Sequence, residues 1–177
     1  MLKLKEICNV ENVKNESDFY VRVKILFSNY YVQNKPIHYW STMGPQQTLL
    51  EIGLGQLSGD VYEITIVSMP KDYIHRCLNI SRNSIEKIGL PSLSIDIESS
   101  NDKNLPSYSD EYATRETNDF EIYVDKISVS VVLLQSEVIL KVINGPIVFG
   151  FDKNNFLCFI KMNEMRLNEE GFLEAVK

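Results

Sequence analysis

The sequence predicts a mainly β protein: a single antiparallel β domain, sandwich or barrel-like, with one or two short helices and an α+β arrangement left open. Three observations predict it. Apolar and polar residues alternate with a period of two through much of the chain, as in strands that bury one face. The links between these runs are short and carry turn residues, which favours antiparallel neighbours, because parallel ones need a long crossover. Stretches with helical spacing are scarce.

In chain order, Phe19, Val21, Val23, Ile25 and Phe27 hold the odd positions of the first clear strand, with Arg22 and Lys24 between them. Leu50, Ile52 and Leu54 alternate with Glu51 and Gly53, and Tyr62, Ile64 and Ile66 alternate with Glu63 and Thr65. These two runs predict a hairpin turning at Gly55–Asp60. Ile74, Cys77, Leu78 and Ser81, extended by Ile85 and Ile88, have helical spacing, although Asn79, Ser81 and Asn83 are poor interior residues. Leu93, Ile95 and Ile97 predict another half-exposed strand.

Phe120, Ile122 and Val124 keep even phase, whereas Ile127, Val129, Val131 and Leu133 keep odd phase. The slip at Asp125-Lys126 requires a tight turn or a bulge, since one residue of shift reverses the faces. Val138–Ile143 is a further strand, and Ile147–Phe151 pairs with Phe156–Lys161 across Asp152–Asn155. Asn168, followed by Glu169 and Glu170, predicts a short terminal helix.

The chain has 177 residues, enough for one self-sufficient core, because folding at this length hides about 70% of the unfolded surface. We therefore expect one globular domain over residues 1–177. The net charge is -6, which argues against general nucleic-acid or anionic-membrane binding, since both rely on Lys and Arg to neutralise phosphate. No apolar run follows the lysines of Met1–Cys8, so no secretory signal is expected. Three cysteines, Cys8, Cys77 and Cys158, are odd in number. Free thiols and a cytoplasmic location are the expectation.

Most catalytic chemistry finds no support in these residues. Gly53–Gly59 has the glycine spacing of a phosphate loop, but Val61–Val67 behind it has the pattern of a strand and supplies no helix N-terminus. The histidines are His38 and His75, with no metal-ligand motif beside them, so neither a metal site nor a cofactor is expected. A nucleophile pair of Cys77 or Cys158 with either histidine is open in principle, but Cys158 sits in an apolar run where a buried thiol is ordinary. Tyr30-Tyr31 and Tyr39-Trp40 are aromatic clusters that fit either a core or a binding surface.

The acidic segment is the most distinctive feature. Between Asp96 and Glu121 stand Asp96, Glu98, Asp102, Asp110, Glu111, Glu116, Asp119 and Glu121, against Lys103 and Arg115 alone, so the whole net charge of -6 lies there. Residues 98–118 read as a long acidic surface loop. Either that loop is simply solvated, or it forms an electrostatic contact surface with Tyr108 and Tyr112 as apolar anchors.

Thr48–Leu54 through Ser58–Val67, and Pro146–Lys161, resemble hairpins in small bacterial immunity proteins of polymorphic toxin systems. The resemblance implies a cytosolic, cofactor-free, non-enzymatic binding protein that blocks the active site of a cognate toxin. The acidic surplus suits a basic toxin such as a nuclease, with the residues from Asp96 to Glu121 as the contact. The rival readings are a small-ligand-binding or structural β domain, and a cofactor-free hydrolase.

Overall fold

The structure is a computed structural model that describes residues 1–18, 20–28, 36–43, 48–67, 74–75, 84–95, 112–116, 119–125 and 127–165. Among the described residues there are strands and turns but no helix. The strands are β1 (Leu2–Cys8), β2 (Val13–Asn15), β3 (Val23–Phe27), β4 (Ile37–Met43), β5 (Leu49–Gly55), β6 (Val61–Ile66), β7 (Ile74–His75) and β8 (Ile85–Ile88). They continue with β9 (Leu90–Ile95), β10 (Ala113–Glu116), β11 (Glu121–Asp125), β12 (Ser128–Val132), β13 (Leu140–Asn144), β14 (Ile147–Phe151) and β15 (Leu157–Asn163).

Two sheets pack as a sandwich, not as a closed barrel. One has the order β10-β4-β5-β6-β3-β2 and the other β7-β11-β12-β15-β14-β13-β8. Alternation decides which side chains meet between them. Val23, Ile25, Phe27, Leu50, Ile52 and Ile64 from the first sheet share one core with Val129, Val131, Phe149, Ile160 and Met162 from the second. Phe27 and Phe149 stand across this interface with ring centroids 6.4 Å apart, within the range of a favourable aromatic pair. A third, two-stranded sheet of β1 and β9 joins the layers at one end. Lys3 bridges to Phe156 of the second layer, and Ser92 bridges to Asp60 of the first.

The predicted hairpins are present. β5 and β6 pair antiparallel around Gly55–Asp60, β11 turns into β12 after Asp125, and β14 pairs with β15 across Asp152–Asn155. The Asp152 side chain organises that last turn, accepting from Asn154 N at 2.8 Å and Phe156 N at 2.9 Å. Elsewhere, buried Asn144 acts as a substitute for a strand. Its Nδ2 donates to Glu11 O and its Oδ1 accepts from Glu11 N, both at 2.8 Å, tying the β1–β2 link to the second sheet.

Three expectations are corrected. The helical spacing around residues 74–88 gives extended chain at Ile74–His75 and Ile85–Ile88, which pair parallel with β11 and β13. Sheet hydrogen bonds outweigh a weak helical pattern there; residues 76–83 lie outside the described residues, as does the predicted terminal helix. The acidic loop over 98–118 ends early, because Ala113–Glu116 pairs parallel with Tyr39–Thr42. The strand expected from Phe19 starts only at Val23, since the Asp18 carboxylate accepts from Tyr20 N and Val21 N and turns the chain first. The parallel pairs connect segments far apart in sequence, as parallel geometry demands.

Candidate functional site

A cleft of about 300 Å³ opens where the β1–β9 sheet meets the loop between β5 and β6. Lys5, His38, Leu54, Ser58, Leu93 and Ile95 are among the residues that line it. The loop forms a rigid wall. Gly59 has φ +79, and a methyl group there would lie 2.2 Å from Leu93 O; only glycine combines that backbone with that approach. Leu93 N donates to Gly59 O at 2.8 Å, and Ser92 Oγ donates to Ser58 O at 2.6 Å. Lys5 Nζ reaches the same Ser58 O at 3.3 Å. His38 is placed by β4, with Nε2 2.9 Å from Thr114 Oγ1 on β10. Leu57 stands 90% exposed at the loop tip.

The acidic stretch begins next to this cleft. Ile95, a lining residue, immediately precedes Asp96. Within the stretch, Tyr112 O accepts from Tyr39 N, beside His38, at 2.8 Å. Of the residues expected to contact a partner, Tyr112 is 53% exposed and Asp119 is exposed. Glu121 is half-buried and accepts from Tyr123 Oη and Gln135 Nε2, both at 2.8 Å. Glu116 departs from the expectation of a solvated contact residue. It is 6% exposed and lies 2.5 Å from the Met1 ammonium, because the even positions of β10 face inward. Asp96, Glu98, Asp102, Tyr108, Asp110 and Glu111 lie outside the described residues. Tyr112 and Glu116 therefore belong to the first sheet's edge, whereas Asp119 and Glu121 lead into the second sheet.

The other candidates separate from one another. Trp40 is buried in the core at 2% exposure, Tyr39 is half-buried, and Tyr30, Tyr31 and Cys77 lie outside the described residues. The His75 ring stands 5.1 Å from that of Tyr123. Among the described residues, no group of three or more His, Cys, Asp or Glu is placed to hold a metal ion. Cys8 and Cys158 are free thiols. Burial pushes Cys158 up to about 12, with the Asp152 charge adding to it. Burial and the hydrogen bond to Asp60 push Cys8 up to about 11.

Because the thiolate is the reactive form, native alkylation by iodoacetamide should keep rising through pH 10 at both cysteines. Mass spectrometry of peptides from timed reactions checks this. A plateau near pH 9 at either site would show an ordinary thiol instead.

A polar row crosses the outer face of the first sheet. Arg115, Ser41, Glu51, Thr65 and Lys24 are successive cross-strand partners. Burial raises the carboxyl of Glu51, and Arg115 partly offsets it. Burial likewise raises Glu63, countered by Lys24. A carboxyl raised above its unfolded value costs stability when ionised, so the contribution of these two to folding becomes more favourable as pH falls through their raised values.

The sequence signals one wall of the cleft, the hairpin turn within Gly53–Gly59, but not the cleft itself. Lys5 and Ile95 meet that turn only through the β1–β9 pairing, which no local pattern encodes. Compared with protein-family models the chain matches none, and it matches no curated protein.

Proposed function

We propose that the protein is a non-catalytic binding protein that neutralises a cognate basic bacterial toxin, a nuclease for example, by covering its active site. The observation that carries this reading is the placement of charge. The Asp96–Glu121 stretch holds the entire net charge of -6, and Ile95, which immediately precedes it, lines an open cleft. A concentrated field of one sign accelerates encounter with a partner of the opposite sign, and an exposed tyrosine such as Tyr112 supplies apolar area at the contact. Glu116 has no part in it, being held inside by the Met1 ammonium. The resemblance of the two hairpins to those of immunity proteins supports the same reading.

Co-purification from the native cell, followed by identification of the bound protein, tests the partner. A basic protein whose toxic activity is blocked in the complex is the expected result. Neutralising Asp110, Glu111 and Asp119 together should then slow association and flatten its salt dependence, since screening acts over about 8 Å at physiological ionic strength. Stopped-flow rates at several salt concentrations read this. An acidic partner, or a rate and salt slope unchanged in the variant, would reject the proposal.

A further inference from the structure

We propose that the cleft between the β5–β6 loop and β9 is a binding site for a monoanionic carboxylate carried on a short apolar chain. This goes beyond the toxin-binding reading and does not depend on it. The cleft's chemistry contrasts with that of the protein. In a chain of net charge -6, the described residues of the lining include Lys5 and His38 and no carboxylate. Asp60, which closes the loop, is not among the lining residues, and its Oδ1 accepts from the Cys8 thiol at 3.3 Å.

The lysine is placed without being used up. Its ammonium has three donors, and its contact with Ser58 O is a long one at 3.3 Å. His38 is oriented from behind by Thr114, 2.9 Å from Nε2. Ser58 and Ser94 add hydroxyls, and Leu54, Leu93 and Ile95 add apolar surface. One ammonium balances one negative charge, whereas a phosphate dianion would sit uncompensated within an acidic protein. The volume of about 300 Å³ equals the share of about ten liquid waters, which fits a ligand of roughly eight to twelve non-hydrogen atoms. Either a free short-chain acid or the C-terminal carboxylate of a peptide carries this chemistry.

The full chain, labelled with ¹⁵N, can be titrated with hexanoate, N-acetylleucine and hexylamine while amide shifts are followed by NMR. Saturable shifts centred on Lys5, His38, Ser58, Leu93 and Ile95 are expected with the two acids, and none with the amine. Tighter binding of N-acetylleucine assigns the site to a peptide terminus; tighter or equal binding of hexanoate assigns it to a free acid. Lys5→Met should weaken either acid at least about tenfold, the scale of one charge-assisted hydrogen bond. Lys5→Arg should retain binding within about threefold, because it keeps the charge. Lys5 is exposed, so both variants should melt with the native protein. Shifts that do not saturate, that centre elsewhere, that hexylamine reproduces, or that survive Lys5→Met unchanged would overturn the proposal.

Discussion

Gly150→Ala should destabilise the protein by about 3 kcal/mol, the upper end of the usual cost of overpacking a core. Gly150 on β14 faces Phe159 on β15 directly across the ladder, and the aromatic ring lies over the glycine. A methyl group at Gly150 would stand 2.0 Å from Phe159 Cε1 and 2.3 Å from Cδ1, far inside contact distance. The ring cannot simply swing away, since Phe159 is 3% exposed and packed with Val138 and Cys158 under Leu134 and Val148. In a chain of this size the loss corresponds to a fall in melting temperature of roughly 6–12 °C. Urea denaturation of Gly150→Ala measures it. Adding Phe159→Leu should recover part of the loss, because the smaller side chain vacates the space; a Gly150→Ala protein as stable as the native one would refute the packing argument.

Asn144→Leu should cost a similar amount, about 3 kcal/mol, for a different reason. The substitution keeps the branched shape and does not shrink the side chain, so no cavity forms. It removes instead the two hydrogen bonds at 2.8 Å by which the side chain satisfies Glu11 N and Glu11 O. Asn144 is 0% exposed, and a polar backbone group left without a partner in partly buried surroundings costs about 1–3 kcal/mol. Asn144→Asp should be no milder, since it keeps an acceptor for Glu11 N but sets a second acceptor against Glu11 O. Hydrogen exchange adds a local reading: the Glu11 amide should lose protection in Asn144→Leu, which removes its acceptor. Protection equal to the native protein at Glu11 would show that the link is held by something else.

Both positions illustrate what was legible in the sequence. The strands that alternate, and hairpins with short turns such as Gly55–Asp60 and Asp152–Asn155, are local facts, written in period and in turn residues. The sandwich core follows from them, since Val23, Ile25 and Phe27 can bury one face only if another sheet covers it. What could not be read were pairings without a local signature. Nothing near Ala113–Glu116 announces a parallel partner at Tyr39–Thr42, and Ile85 with Ile88 keeps a helical interval while serving as an exposed edge strand. Glu116 looked like one acid among eight until β10 turned it inward. The cleft has the same origin: Lys5, Ser58 and Ile95 are remote in sequence and meet through the third sheet. The acidic stretch was conspicuous by charge alone, and charge specifies sign and steering but not contact geometry.

The third sheet also sets an order of events for a nascent chain. β1 is synthesised well before its ladder partner β9, and Leu4 N finds its acceptor still later, at Asn155 O. At a translation rate of about 5–20 residues per second, the wait for that acceptor is on the order of ten seconds or more. Leu2, Leu4 and Ile7 must spend that time without their final covering, while β3, β5 and β6 already have near neighbours to pair with. Closure of the end of the sandwich is thus a late step. β1 leaves the ribosome long before it can be seated.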